Sequence, residues 1–127
     1  MKHAEEALSQ VKARASVAFD FGGHWLNELG SYMDLVVADG IVSGTNVSTA
    51  GSGGPISKPV YGTVTDDLIS LTVNWGPAIT AWVGHGVLVK GLPQILTLWH
   101  MVVAIADETD PAEQWKTVMA GADQFTR

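Results

Sequence analysis

From Trp25 onward the chain alternates apolar and polar residues in short β-prone runs, with no helical period between them. Turn signals punctuate the runs: "ELGS", "ADGI", "AGSGGP", "WGPA", "VKGLP" and "DETDP". Eight runs result, at 23–29, 31–38, 41–49, 58–65, 68–75, 78–89, 94–105 and 117–126. Strands at this spacing predict an all-β fold, an eight-stranded antiparallel up-and-down barrel, over residues 23–127. Ahead of it, residues 1–22 form an extension. There Ala4, Leu8, Val11 and Ala15 recur at helical spacing and allow a short amphipathic helix.

Two-residue hairpin loops fix register, and register fixes which side chains share a face. A loop at Asp39-Gly40 pairs Ala38 with Ile41, Met33 with Asn46 and Ser31 with Ser48. Gly76-Pro77 suits a type II′ turn and pairs Trp75 with Ala78, Val73 with Thr80 and Leu71 with Trp82. Lys90-Gly91 pairs Trp82 with Trp99. Trp75, Trp82 and Trp99 therefore point to one interior, in company with Thr80, Thr97 and Met101. Trp25 belongs to the core of the first strand. An eight-stranded barrel is wide enough to be filled by side chains or to hold one small ligand. Inward hydroxyls need a partner. Ser31 and Ser48 could supply one another, whereas Thr80 among indoles speaks for a ligand.

Composition narrows the classes. The 127 residues, 46% hydrophobic, suffice for one domain with a real core. A net charge of −6 disfavours nucleic acid and anionic lipid as partners. No apolar run is long enough to span a bilayer. With no cysteine, disulfides and thiolate metal sites are excluded. The opening residues have scattered charges and no uninterrupted apolar stretch, so no signal peptide is read there. Of the four histidines, His85 falls opposite Leu96, His100 opposite Ala81, His24 points outward and His3 lies in the extension. None is within ligand reach of another, so no metal site is expected. An enzyme would need a nucleophile with an activating base. No inward histidine serves Ser31 or Ser48.

With these residues placed, the chain resembles the avidin/streptavidin family of biotin-binding barrels. The likeness runs from "GHWLNELGS" through "DGIVSGT", "TVNW", "TAW", "TLW" and "EQWKT" to "GADQFTR". It implies high-affinity, non-covalent biotin binding with no cofactor, and a secreted or periplasmic location. By the same resemblance, Asn27 and Ser31 donate to the ureido oxygen, while Ser48 and Asp123 accept its N–H groups. Thr80 reaches the ligand sulfur, Trp75, Trp82 and Trp99 form the walls, and Leu29 and Met101 line the cavity. The loop after the third strand, with Ala50 and Ser52, offers backbone N–H groups to the ligand carboxylate. Trp115 stands where tetrameric members lend a tryptophan to a neighbouring subunit.

Two positions depart from the family pattern. Asn46 replaces a tyrosine that donates to the ureido oxygen, and Ala78 replaces a serine near the carboxylate. Each lost hydrogen bond costs about 0.5–1.5 kcal/mol net, so binding weaker than that of the family's best members is expected. The outward residues of strands 79–87 and 96–104 are also mostly apolar: Ile79, Ala81, Val83, His85 and Val87, then Leu96, Leu98, His100, Val102 and Ala104. Such two-sided strands predict a homo-oligomer, with a tetramer favoured over a dimer. The alternative is a lipocalin-like barrel with another small apolar ligand. It would leave Asn27, Ser31, Ser48, Thr80 and Asp123 unpaired.

Overall fold

A computed structural model of the chain describes residues 3–12, 17–50, 53–104 and 117–127. Eight antiparallel strands close into a barrel in chain order, β1 to β8, each paired with its sequence neighbours. They are β1 (Gly23–Leu26), β2 (Tyr32–Ala38), β3 (Ile41–Ser48), β4 (Ile56–Thr65), β5 (Leu68–Asn74), β6 (Ala78–Val89), β7 (Leu92–Val103) and β8 (Val118–Thr126). A helix, α1 (Ala4–Leu8), precedes them and buries no residue. Ala15 lies outside the described residues.

The hairpins adopt the expected registers: Met33 faces Asn46, Val73 faces Thr80, Leu71 faces Trp82, and Trp82 faces Trp99. The turn backbones show why. Asp39 and Gly40 both take positive φ (51° and 76°), as do Lys90 and Gly91 (52° and 80°), the requirement of a type I′ hairpin. Gly76 supplies φ of 100° ahead of Pro77.

Strand ends differ from expectation where side chains intervene. β1 stops at Leu26 rather than running to 29, because the Asn27 carboxamide organises its own turn. β4 starts two residues early, as Ser48 and Val47 find partners in Ile56 and Ser57. β7 starts at Leu92, ahead of Pro93. That proline precedes the first β7–β8 pair, Gln94↔Thr126, so its missing N–H costs the sheet no second ladder bond.

Alternation sorts the interior. Trp25, Met33, Val42, Val60, Val73 and Ile95 are fully buried, and Leu71 and Trp82 nearly so. Gly44, Gly62 and Gly84 sit among these inward positions. A Cβ on any of them would come within 1.7–2.0 Å of a neighbouring strand's carbonyl oxygen, so their bareness permits the tight coiling of a small barrel.

The two ends of the barrel differ. At one end lie the β2–β3, β4–β5 and β6–β7 turns, and Phe21 is buried beneath Trp25, whose Nε1–H donates to the Phe21 carbonyl at 2.9 Å. Phe19 stacks on Trp25 and packs at a tilt against Phe21. The packed core thus includes aromatics from the segment ahead of residue 23. Arg127 lies 4.4 Å over the Trp25 ring and donates to the Asp20 carbonyl, bracing a β1–β8 seam that holds one ladder pair, Leu26↔Thr126. With that end plugged, the cavity opens at the other. There the β1–β2 and β5–β6 turns lie, with the C-terminal ends of β3 and β7.

Candidate functional site

A cavity of about 250 Å³ at that open end is lined by Asn27, Leu29, Ser31, Asn46, Ser48, Ala50, Trp75, Thr80, Trp82, Trp99, Met101 and Asp123. Tyr32 and Phe125 complete the lining. Twelve of the sequence-predicted site residues are therefore brought to one place. The other two, Ser52 and Trp115, lie outside the described residues.

At one side sit groups able to donate. Asn27 Oδ1 accepts from the backbone N–H of Leu29 (2.9 Å) and of Ser31 (3.0 Å). These two bonds identify the oxygen of the carboxamide and leave its Nδ2 hydrogens as donors. Ser31, 8% exposed, accepts from the Thr49 backbone N–H at 2.9 Å, and its hydroxyl pairs with Thr49 Oγ1 at 3.1 Å. The two serines do not satisfy one another, because the β2–β3 ladder ends at Tyr32↔Val47 and Ser31 turns to Thr49. Among the described residues, neither the Asn46 carboxamide nor the Ser48 hydroxyl has a protein hydrogen-bond partner.

Asp123 supplies the acceptor. Its Oδ2 takes the Trp82 Nε1–H at 2.9 Å, and its backbone carbonyl takes the Thr97 hydroxyl at 3.0 Å. The carboxylate is thus held by an indole from β6, while the backbone beside it is tied to β7, and Oδ1 is uncommitted. Trp75 Nε1–H donates to Thr80 Oγ1 at 3.0 Å, which fills one lone pair of Thr80 and leaves its own hydrogen to give.

The indoles form the walls. Trp99 faces Gly121 across β7 and β8. A Cβ on Gly121 would approach the Trp99 ring to 2.6 Å, so glycine there is what lets the indole lie flat against β8. Trp82 is 7% exposed; Trp75 and Trp99 are half-buried and pack on the core. Leu29 stands at the mouth, 74% exposed. A site with donors on one side, a fixed carboxylate on the other and aromatic faces between suits a flat, polar, neutral ring that both accepts and donates.

Sequence reasoning placed Thr97 inward beside Trp99 and did not assign three other contributors. Phe125 shares the inward parity of Asp123, so alternation could have found it. Tyr32 and Thr49 had no such signal. Each sits where a strand begins or ends and strict alternation fails.

A larger open groove of about 710 Å³ lies on the barrel's outer face. Leu68, Val83, Leu96 and Leu98 line it, and Val83 and Leu98 are 64% and 68% exposed. His85 and His100 face Leu96 and Ala81, as expected from register. Among the described residues no three His, Asp or Glu side chains converge as metal ligands would. No helix among them is long and apolar enough to cross a membrane.

The sequence model of the Avidin family matches residues 15–127. No curated protein matches the chain in sequence. Three similar solved structures are xenavidin, apo shwanavidin and a rhizavidin–biotin complex. Xenavidin superposes with a TM-score of 0.73 at 26% identity, over 85% of this chain and 97% of its own. Shwanavidin gives 0.69 at 26%, over 87% and 98%. The rhizavidin complex gives 0.69 at 26%, over 84% and 91%.

Proposed function

This chain belongs to the avidin family, and from that premise we propose that it binds biotin non-covalently, one molecule in the cavity of each barrel. One observation carries the reading: Asn27, Ser31, Ser48 and Asp123 converge in a single cavity with three indoles. Biotin's ureido ring needs that set. Its carbonyl oxygen accepts from Asn27 Nδ2 and the Ser31 hydroxyl, with the Asn46 amide beside them. Its two N–H groups go to Ser48 and to Asp123. Drawing charge onto the carbonyl makes the N–H groups better donors, and the Asp123 bond is charge-assisted. Thr80 gives its hydrogen to the thioether. The fused rings and aliphatic tail bury against Trp75, Trp82, Trp99 and Met101, each indole contributing a few kcal/mol of gross apolar burial, about 25 cal/mol per Å². The carboxylate then lies at the mouth, toward Leu29, Ala50 and the loop bearing Ser52.

The reading is of a binding protein with no chemical step, and a secreted or periplasmic location goes with it. An apolar cargo would leave Asp123 Oδ1 and the Ser48 hydroxyl without partners. Titration with biotin tests the proposal. A saturable change in tryptophan fluorescence, with calorimetric heat at one equivalent per chain, is expected; no heat would end it.

We read the outer faces of strands 79–87 and 96–104 as a subunit interface. Exposed Ile79, Val83, Leu96, Leu98 and Val102 support it, since patches of this kind are seldom left in water. A homotetramer is favoured over a dimer, with Trp115 lent to a neighbouring site. Sedimentation equilibrium measures the copy number.

Asn46 accounts for a lower affinity than a tyrosine would give. Its side chain reaches less far, and water can bridge the remainder. Asn46→Tyr is expected to slow biotin release about two- to ten-fold in a stopped-flow displacement assay. An unchanged or faster off-rate would refute this account of the deficit.

A further inference from the structure

The seam between β1 and β8 is the shortest in the barrel, and cavity residues stand on both sides of it. The two strands share one ladder pair, Leu26↔Thr126, whereas β7 and β8 pair from Gln94↔Thr126 to Val102↔Val118. Continued two residues toward the cavity, the β1–β8 register would set residue 28 opposite Gln124. The backbone does not reach that position as a strand. Asn27 has already begun the turn, its N–H donating to the Ser31 carbonyl and its carbonyl accepting from the Gly30 N–H. The Glu28 side chain takes the place instead: Oε1 accepts the backbone N–H of Gln124.

We infer that Glu28 is a positioning residue for the ligand site, its carboxylate closing the β1–β8 seam beside the cavity and fixing the spacing between Asn27 and Asp123. This rests on the reading of the cavity as a urea site. Asn27 directly precedes Glu28, and Asp123 directly precedes Gln124, so one bond joins the neighbours of the two groups. Both groups line the cavity. In the urea reading they meet the same rigid ring, Asn27 at its carbonyl oxygen and Asp123 at an N–H, and such a ring satisfies both at one separation only.

The choice of a side-chain acceptor has a physical reason. A backbone carbonyl at residue 28 could complete the ladder only if the segment stayed extended, and the turn that holds the Asn27 carboxamide by the Leu29 and Ser31 N–H groups would be lost. A glutamate reaches across, satisfies Gln124 and leaves the backbone free to turn. Toward β3 the same turn is held by Thr49, which engages Ser31 and the Leu29 carbonyl. Toward β8 the bond comes from Glu28. The residue is exposed, so without it the Gln124 N–H would meet water and the fold would lose little. The cost falls on binding, because Asn27 and Asp123 would have to be brought to their spacing as the ligand enters.

Calorimetry with biotin on the unmodified chain, Glu28→Ala and Glu28→Gln tests the inference. Glutamine keeps an oxygen acceptor at the same reach and removes the charge. Glu28→Ala is expected to weaken biotin about three- to ten-fold, with the melting temperature of the free protein little changed, and Glu28→Gln to bind as the unmodified chain does. An Asn27→Asp background shows whether Glu28 acts through its neighbour. Aspartate still accepts from Leu29 and Ser31 but has no hydrogen for the ligand, so Glu28→Ala should there cost less than it does alone. Equal losses for alanine and glutamine, equal losses in both backgrounds, or a change below about two-fold for Glu28→Ala would overturn the assignment. Glu28 also borders the outer groove, so each variant is sedimented; an affinity loss that follows a changed copy number rather than the acceptor would overturn it too. Absence of biotin heat with the unmodified chain would remove the urea reading itself and this inference with it, whereas biotin heat with an indifferent Glu28→Ala removes the inference alone.

Discussion

Asp123→Asn is expected to weaken biotin binding roughly 30- to 900-fold, the equivalent of about 2–4 kcal/mol, while leaving the fold intact. The size follows from the two sides of the carboxylate. One oxygen holds the Trp82 indole N–H at 2.9 Å; the other is free to accept a ureido N–H. Asparagine has one acceptor and one donor where aspartate has two acceptors. With its oxygen toward Trp82 it presents N–H₂ to a ligand N–H, and the reverse orientation sets N–H₂ against the indole. Either way one pair of donors faces each other, and the charge that strengthened the ligand bond is gone. The backbone carbonyl of residue 123 keeps its bond from Thr97, so thermal unfolding of the free protein is expected to shift little. Calorimetry reads the loss, and a change smaller than about three-fold would show that Asp123 does not meet the ligand.

Period-two alternation and three two-residue turns made the barrel legible in the sequence. Asp39-Gly40, Gly76-Pro77 and Lys90-Gly91 each allow one register, and a one-residue slip at Gly76-Pro77 would have put Thr80 and Trp82 on the face opposite Val73. The cavity walls followed from the same parity. What parity could not supply were the residues at strand ends. Asn27 ends β1 by drawing two backbone N–H groups to its own side chain, and Thr49 crosses to Ser31 just past the end of β3. Both belong to connections, where side-chain direction depends on local hydrogen bonds rather than on the pleat. The plug escaped for a related reason. Phe19 and Phe21 precede the first strand and carry no periodic signal, yet they pack under Trp25 and fill the end opposite the cavity. Asp123 was legible only through family resemblance, since a carboxylate near a chain end gives no sign that an indole will fix it.

Closure at one end and polarity at the other are coupled through the strands they share. Trp25 and Asn27 are two residues apart on one segment, the first bonded to the plug and the second organising the turn at the mouth. Phe125 and Asp123 stand in the same relation on β8, with Phe125 buried. The site is thus hung from strands whose other halves are immobilised by aromatic packing, which limits the ordering cost when a ligand enters.

Trp82 has the largest single contribution to argue, because it is both wall and orienter. Trp82→Ala removes a buried indole, and truncations of that kind cost about 3–5 kcal/mol; it also frees Asp123 Oδ2. Biotin affinity is expected to fall at least a hundred-fold, with a lowered melting temperature for the free protein. Trp82→Phe separates the two roles. Phenylalanine keeps an aromatic face against the ligand but has no N–H to hold Asp123, so an intermediate loss of about ten-fold is expected. In an Asp123→Asn background that indole bond is already compromised, and Trp82→Phe should then cost less than it does alone, whereas Trp82→Ala should still cost most of its apolar share. Equal losses for phenylalanine in both backgrounds would mean that the Trp82–Asp123 bond does not prepare the carboxylate for ligand. Equal losses for phenylalanine and alanine would mean that the indole serves the site through its N–H and not through its face.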